Sequence, residues 1–159
     1  MKKGILLGLA LGLMILGSAM ESSAQGGPVL EKIWAPAEVN SGSILKVYIK
    51  GSDPEGDLKF VVVTAGKGTQ PTGSTPIRIS KDARKDLNGY VYWDTRKAAT
   101  QSTSGTVWVL LEDQKGNESE TKSVAVKIVP KGAKAEKPPA DFQEKEIGPV
   151  MMDTIQRPY

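Results

Sequence analysis

The chain has 159 residues, of which 39% are apolar, and its 21 lysines and arginines against 18 acidic residues give a net charge of +3. So small an excess gives no argument for a nucleic-acid partner. Neither histidine nor cysteine occurs, which removes the usual general base near neutral pH, the commonest zinc ligand and every disulfide. Most catalytic chemistries are therefore excluded, and apolar burial has to hold the fold.

The first 24 residues are predicted to be an export signal that is cleaved from the mature protein. Lys2 and Lys3 precede an apolar run at residues 5–16, and small residues at 22–24 mark the expected cleavage site, with 17–19 as a second possible one. The run has about 12 residues, whereas a membrane-spanning helix needs about 20, so cleavage is favoured over retention as an anchor. We expect a periplasmic or secreted protein with no stable membrane insertion after cleavage.

Residues 25–130 are predicted to form one all-β domain. About seven strand signals recur in this range, each bounded by glycine, proline, asparagine, aspartate or serine. They lie at residues 29–34, 44–50, 58–64, 76–80, 89–94, 106–112 and 121–129. Short strands at this spacing indicate a single antiparallel β-sandwich.

Alternation of side chains predicts which faces of these strands are buried. Val91 and Trp93 alternate with Tyr90 and Tyr92, so we expect the tryptophan side to face the core and the tyrosines to face outward. The outward tyrosines are the candidate surface for a protein or glycan partner, although such pairs commonly serve sheet stability alone. The strand at 58–64 is apolar on both faces, which is typical of a central strand covered on both sides or lying under a loop.

The composition changes after residue 130. Residues 131–159 are rich in lysine, alanine, glutamate and proline, which predicts a flexible low-complexity linker and C-terminal tail. The tail nevertheless carries four apolar side chains that are candidates for partner binding: Ile147, Val150, Met151 and Ile155. Two interpretations remain open. The tail is either a loosely attached terminus, or a short peptide that docks on the sandwich edge or on another protein by strand addition.

Two acidic turns carry the candidate metal ligands. The first turn, at residues 53–58, follows the second predicted strand and has a proline and a glycine at its bends. The second turn, at residues 113–119, is a polar hairpin between the last two predicted strands. The candidate ligands in these turns are Asp53, Glu55, Asp57, Asp113 and Asn117.

These turns resemble those of the bacterial immunoglobulin-like and cadherin-like sandwich domains, in the neighbourhood of fibronectin type III domains, of exported proteins. Residues 53–58, DPEGDL, resemble the loop before the third strand of such domains, and residues 113–119, DQKGNES, resemble the turn that joins the last two strands. The resemblance covers about residues 29–130. It implies an immunoglobulin-like fold and a module that presents loops and edge strands to another envelope or extracellular protein.

That fold would bring both acidic turns to the same pole of the sandwich. Oxygen ligands of this kind suit calcium, which takes six to eight of them at about 2.3–2.6 Å. In the alternative interpretation, the acids only form and solvate their own turns. Basic residues of the loop at 81–88, namely Lys81, Arg84 and Lys85, would then neutralise the pole.

One match to a catalytic pattern is discounted. Ser119 and Lys122 have the serine-x-x-lysine spacing of penicillin-binding enzymes, whose helix places the amine beside the hydroxyl. Here the two residues begin a predicted strand, where residues three apart point to opposite faces. We therefore predict a non-enzymatic module without a required cofactor. The alternatives are a calcium-stabilised adhesion or assembly subunit and a carbohydrate-binding module that uses Tyr90 and Tyr92.

Overall fold

Within residues 26–68, 70–95 and 101–151, which the computed structural model describes, the chain forms nine β-strands. The strands are β1 (Val29–Trp34), β2 (Glu38–Asn40), β3 (Ile44–Ser52), β4 (Leu58–Lys67), β5 (Gln70–Arg78), β6 (Asp86–Asp94), β7 (Thr103–Asp113), β8 (Lys122–Val129) and β9 (Glu146–Pro149). They form a four-stranded sheet in the order β1-β3-β6-β9 and a five-stranded sheet in the order β2-β8-β7-β4-β5. Neighbouring strands are antiparallel except for the parallel pairs β2 with β8 and β6 with β9.

The two sheets confirm the predicted all-β, immunoglobulin-like sandwich. Each predicted strand overlaps an observed one, and the two strands that were not predicted are β2 and β9. These have three and four residues and lie at sheet edges, so neither offers the alternating run on which strand prediction depends. The predicted edge strand at 76–80 corresponds to β5, which does lie at an edge but runs over Gln70–Arg78.

The core lies between the inner faces of the two sheets. On β6, Val91 is fully buried and Trp93 is 4% exposed, as their alternation predicted. Aliphatic side chains with almost no exposure complete the core, and they are Leu45, Val47, Ile49, Leu58, Val61, Val63, Val107, Val109 and Leu111. Burying one such side chain contributes roughly 1.5–3 kcal/mol, which is the main support of a chain without cysteine.

Strand β4 has the central position that its sequence predicted, between β5 and β7. Val61 and Val63 point into the core and are fully buried. Phe60 and Val62 alternate with them on the outer face and remain partly exposed. The outer face of the five-stranded sheet therefore has an apolar centre that the core does not use.

The segment predicted to be a flexible tail supplies the fourth strand of a sheet. Strand β9 lies beside β6, where the amide of Tyr90 donates to the carbonyl of Lys145 at 2.8 Å. The amide of Val150 donates to the carbonyl of Tyr92, also at 2.8 Å. Of the two interpretations that the sequence left open, the structure shows docking on the sandwich edge for residues 141–150, which we call the tail segment.

The prediction of a flexible tail is wrong at β9, where glycine and proline, which weaken a central strand, suit the edge of a sheet. A Cβ atom at Gly148 would lie 2.9 Å from Cγ2 of Ile77, so glycine lets β9 approach β5 closely. Proline is tolerated at Pro149 because one side of an edge strand needs no ladder partner. The domain boundary predicted after residue 130 therefore separates β9 from its own sheet.

Two predicted features lie outside the described residues. They are the export signal at residues 1–24 and the candidate binding residue Ile155. Within the ranges that the structure describes, the one helical element is the 3-10 turn Lys81–Ala83, and no helix is long and apolar enough to cross a bilayer.

Candidate functional site

The two acidic turns meet at one pole of the sandwich, as the sequence predicted. One turn follows β3 and carries Asp53 and Asp57, and the other begins at Asp113, the last residue of β7. Carboxylate oxygens of these three residues, which we call the acidic cluster, lie within 4.8 Å of one another. The amide of Gln114 donates to the carbonyl of Asp57 at 3.1 Å, so the backbones of the two turns are also joined.

Asp53 is buried and forms the first turn. Its carboxylate accepts hydrogen bonds from the amides of Glu55 at 3.0 Å and Asp57 at 3.3 Å. Its carbonyl accepts from the amide of Gly56 at 3.0 Å, and Gly56 has a φ of +72°, which a residue with a Cβ adopts only at a cost. The predicted proline-glycine turn is therefore present, and Asp53 is part of its construction.

Asp113 is buried and forms the second turn in the same way. Its carboxylate accepts from the amides of Lys115 and Asn117, both at 2.8 Å, and from the side-chain amide of Asn117 at 2.7 Å. Burial opposes the ionisation of Asp113, but the hydrogen bonds from Asn117, Lys115 and Gly116 outweigh it and lower the pKa of Asp113 below its usual value. Asp113 is therefore a stable anion at neutral pH.

Asp57 is the member of the acidic cluster whose charge is not compensated. Its Oδ1 atom is buried, and none of the described residues donates a hydrogen bond to it. Contact with the Asp53 carboxylate, desolvation and the charges of Asp53 and Asp113 raise the pKa of Asp57, and Lys115 partly opposes them. A proton or a cation between these carboxylates would remove the repulsion.

Of the five predicted ligands, the structure brings the three aspartates together. Glu55 instead forms an ion pair with Lys115, and this contact raises the pKa of the lysine. Asn117 directs its side-chain nitrogen to Asp113, so its role is to fasten the second turn. The neutralising cation at this pole is thus Lys115 of the hairpin, which sequence reasoning did not single out.

The loop predicted to neutralise the acids does lie at the same pole, but its backbone makes the contacts. The carbonyl of Lys85 accepts from the amide of Asp53 at 2.9 Å, and the carbonyl of Arg84 accepts from the amide of Leu58 at 3.2 Å. These bonds fix both ends of the first turn. The loop thereby positions Asp53 and Asp57.

A second cluster of polar contacts covers the outer face of the four-stranded sheet. Lys32 forms an ion pair with Asp141 at 2.7 Å, and Lys46 forms one with Glu144 at 2.6 Å. The hydroxyl of Tyr48 also donates to Glu144. All three donors lie on the sheet and face the tail segment, so Asp141 and Glu144 are recognised by side chains of β1 and β3.

Tyr48 is the centre of this covered face and is only 3% exposed. Its ring lies 5.6 Å from Trp34, 5.5 Å from Tyr90 and 5.9 Å from Phe142, measured between centroids. Burial, followed by the hydrogen bond to Glu144, raises the pKa of Tyr48 to about 12. A position that alternation would place in solvent is therefore part of an aromatic cluster.

The predicted partner-binding residues fall into different surroundings. Tyr90 and Tyr92 are half-buried, and their backbones bond to the tail segment. Val150 is buried and Ile147 packs against the core, so these two belong to the sandwich itself. Met151 is 81% exposed.

The outer face of the five-stranded sheet offers a surface that sequence reasoning missed. Its half-buried side chains Phe60, Val62, Trp108 and Leu110 form what we call the Trp108 face. Val62 is the register partner of Leu110, and the face includes a groove of about 300 Å³. The sequence did indicate an apolar outer face, because residues 58–64 are apolar on both sides of the strand. It did not show whether the rest of the chain would cover that face.

Ser119, the serine of the serine-x-x-lysine match, has a structural role in the hairpin after β7. The hydroxyl of Ser119 accepts a hydrogen bond from the amide of Leu111 at 2.9 Å and donates to the carbonyl of Glu120 at 3.0 Å. Lys122 is the first residue of β8. Ser119 therefore closes the hairpin after β7, and nothing in its contacts resembles an activated nucleophile.

No protein-family model matches the sequence, and no curated protein matches it. Among solved structures, the chain is similar to the PKD domain of an M14-like peptidase from a Thermoplasmatales archaeon, with 16% identity, a TM-score of 0.43 and coverage of 65% of this chain and 96% of that one. It is also similar to a CARDB domain from Pyrococcus furiosus that was solved with di-metal ions, with 10% identity, a TM-score of 0.37 and coverage of 65% and 89%. Both are immunoglobulin-like sandwich domains, and likeness at this level carries no inference about function.

Proposed function

We propose that this chain is a non-enzymatic exported module that binds another envelope or extracellular protein through the Trp108 face. The observation that carries the proposal is the apolar surface of Val62, Trp108 and Leu110, which lies outside the core and stays partly exposed. Tryptophan surrounded by aliphatic side chains is typical of the residues that dominate protein–protein binding energy. Contiguous apolar patches of this kind mark interaction sites on soluble proteins.

The chemistry of the adjacent edge favours the face over strand addition. Strand β5 forms the edge of the same sheet, and it contains Pro71 and Pro76. Proline has no amide hydrogen to donate to an incoming strand, so it blocks edge pairing. A partner would therefore dock on side chains of β4 and β7 rather than extend the sheet beyond β5.

The test is capture of envelope proteins by the full mature chain, followed by binding measurements with the purified partner. Leu110→Lys places a charge in the middle of the Trp108 face, and Ala125→Lys is the matched control on an exposed position of β8 in the same sheet. We expect Leu110→Lys to weaken binding at least tenfold, because truncating or charging a central apolar residue typically costs 2 kcal/mol or more. Equal binding by wild type, Leu110→Lys and Ala125→Lys would contradict the proposal.

A second candidate function is that of a calcium-stabilised adhesion or assembly subunit. The specific observation in its favour is the acidic cluster, in which three carboxylates lie within 4.8 Å and one buried oxygen of Asp57 has no donor among the described residues. Carboxylate oxygens are the ligands that calcium prefers. The melting temperature in calcium is then expected to exceed that in chelator, and identical melting curves would remove this candidate.

The carbohydrate-binding alternative stays a prediction at Tyr90 and Tyr92. In the folded chain, the tail segment bonds to the backbone of both residues. A glycan would therefore meet a surface that is already partly covered. Glycan binding that is unchanged by Tyr92→Ala would exclude this surface.

A further inference from the structure

We infer that the edge of β6 and the outer face of the four-stranded sheet form a strand-acceptor site that also takes the tail segment of a second copy of this chain. The tail segment fills this site within its own chain, so its contacts show directly which chemistry the site recognises. The inference is independent of the Trp108 face and of the acidic cluster.

The acceptor site recognises the main chain of the segment. The side-chain amide of Asn88 donates to the carbonyl of Asp141 at 2.9 Å and accepts from the amide of Gln143 at 2.9 Å. The backbones of Tyr90 and Tyr92 add one hydrogen bond each, so main-chain groups of the segment are held by the Asn88 side chain, by these two backbone bonds and by the β6–β9 ladder. Such contacts are those of strand addition, in which an extended chain extends a sheet.

The side chains of the segment supply selectivity. Asp141 and Glu144 face lysines of the sheet, and Phe142 between them is buried in the aromatic cluster of Tyr48. The site therefore suits a segment that turns at an aromatic residue next to one acid, carries a second acid two residues later, and then runs extended along β6. The one segment whose complementarity to every part of this site is established is the segment of this chain itself.

Gly89 on β6 is the residue that opens the site. A Cβ atom at this position would lie 2.3 Å from the carbonyl oxygen of Lys145 and 3.2 Å from Cγ1 of Ile147. Only glycine lets the segment approach the strand this closely. The missing side chain at Gly89 therefore leaves room for the main chain of the segment beside β6.

The tail segment is attached through the connection at residues 131–140, which carries no strand or helix. Residues 131–140 are mostly exposed, and one of their anchors is the hydrogen bond from the amide of Ala133 to Asn40 at 2.9 Å. Strand β9 has four residues and one neighbouring strand. The ion pairs of the segment are solvent-exposed, and such pairs are individually weak. Leaving the site uncovers Phe142, Val150 and the core side of Ile147, and the segment of a second copy covers the same surfaces again.

Exchange between two copies remakes the same contacts that each copy loses. The contact energies cancel, and the dissociation constant of the exchanged dimer is set by the effective concentration of the segment at its own site, which is on the order of 1 mM for a short flexible connection. The chain is then a monomer at micromolar concentration, and exchanged dimers accumulate as its concentration approaches about 1 mM.

The absence of cysteine makes a disulfide trap unambiguous. Tyr92 and Pro149 are register partners on β6 and β9, so Tyr92→Cys and Pro149→Cys are made as separate full-length variants and mixed under mild oxidation. Thr106→Cys and Ala125→Cys, register partners on β7 and β8, are the control pair, because these strands do not separate without global unfolding. We expect the 92–149 heterodimer to exceed the control heterodimer about tenfold near 1 mM and to fall with dilution.

Two outcomes would overturn the inference. Heterodimer yields equal to those of the control pair at about 1 mM would show that copies do not exchange segments. A second measurement uses a synthetic peptide of residues 140–151 and the full chain carrying Phe142→Ala, whose own segment is weakened. Absence of peptide binding would reject the acceptor site itself.

Discussion

The outer faces of the two sheets differ in what covers them. On the four-stranded sheet, Tyr48 is buried beneath Phe142 and the rest of the tail segment. On the five-stranded sheet, Trp108 and Val62 occupy comparable outward positions and remain half-exposed. Both faces are richer in apolar side chains than a solvated face requires, so each needs a cover. One cover is supplied by the chain, and we propose that the other is supplied by a partner.

The largest effect is expected from removing the aromatic side chain that closes the covered face. Phe142→Ala should lower the free energy of unfolding by about 3 kcal/mol, because it deletes a buried ring and leaves a cavity. Urea unfolding measures the loss. Met151→Ala, in the same stretch but 81% exposed, is the control and should stay within about 0.5 kcal/mol of wild type. A loss no larger than that of the control would show that the tail segment is not part of the cover.

The same variant should change the titration of Tyr48. In the wild type, burial and the bond to Glu144 raise the pKa of this phenol to about 12. The folded state therefore holds the proton more tightly than the unfolded state, and this contribution is lost as the pH rises from about 10 to about 12. In Phe142→Ala, the absorbance titration at alkaline pH should show the pKa shifted towards about 10. An unchanged titration curve would mean that the segment does not shield Tyr48.

A smaller loss is expected from blocking the approach of the tail segment at β6. Gly89→Val should destabilise the chain by about 2 kcal/mol, because the added Cβ atom overlaps the carbonyl oxygen of Lys145. Valine favours strands, so a loss would report steric exclusion rather than weaker strand propensity. Ala125→Val on the open sheet is the matched control, with a change within about 0.5 kcal/mol. Equal unfolding midpoints for the two variants would contradict the close approach seen at Gly89.

Acid should loosen the covered face more than the open sheet, in which Asp113 at the end of β7 has a lowered pKa. Lys145 lowers the pKa of Asp82 to about 2, and neighbouring lysines lower the pKa of Asp141 and Glu144. Acids with a lowered folded pKa stabilise the fold above their unfolded pKa, and that contribution is lost as the pH falls from about 4 to about 2. Hydrogen exchange should therefore show the Tyr90 amide losing protection in this range before the amides of β7 do. If the amides of both sheets lost protection at the same pH, the tail segment would not detach separately from the rest of the sandwich.

The smallest shift is expected at the pole where the two sheets share the acidic cluster. The pKa of Asp57 is raised, so the folded state favours its neutral form and gains stability as the pH falls through that pKa. Asp57→Asn should raise the melting temperature slightly in metal-free buffer at pH 7 and should lose any stabilisation by calcium. Asp86→Asn is a control at an exposed acid outside the cluster. Calcium stabilisation that survives in Asp57→Asn would place the ion elsewhere.

The sequence predicted those features that depend on local pattern or on general topology. Alternation placed Val91 and Trp93 in the core. The turns with Asp53 and Asp113 converged because loops at the same ends of neighbouring strands share a pole of the sandwich. Neither inference needs knowledge of individual side-chain contacts.

The sequence did not predict features that arise from contacts between distant segments. The burial of Tyr48 depends on Phe142, and the place of β9 depends on the missing Cβ atom of Gly89. A four-residue strand carries no periodicity, so the composition of residues 131–159 dominated the interpretation. The pairing of Lys115 with Glu55 was missed for the same reason, since charge alone does not show which of several lysines points at an acid.

The exposed connection before the tail segment has a consequence for proteolysis. Lys131 and Lys134 are accessible and lie outside any strand, which is the situation that trypsin-like enzymes prefer. A single cut there leaves the downstream piece clamped by Phe142 and its hydrogen bonds. The nicked protein would migrate as one species on a native gel and as two on a denaturing gel, and the smaller piece would be released only slowly.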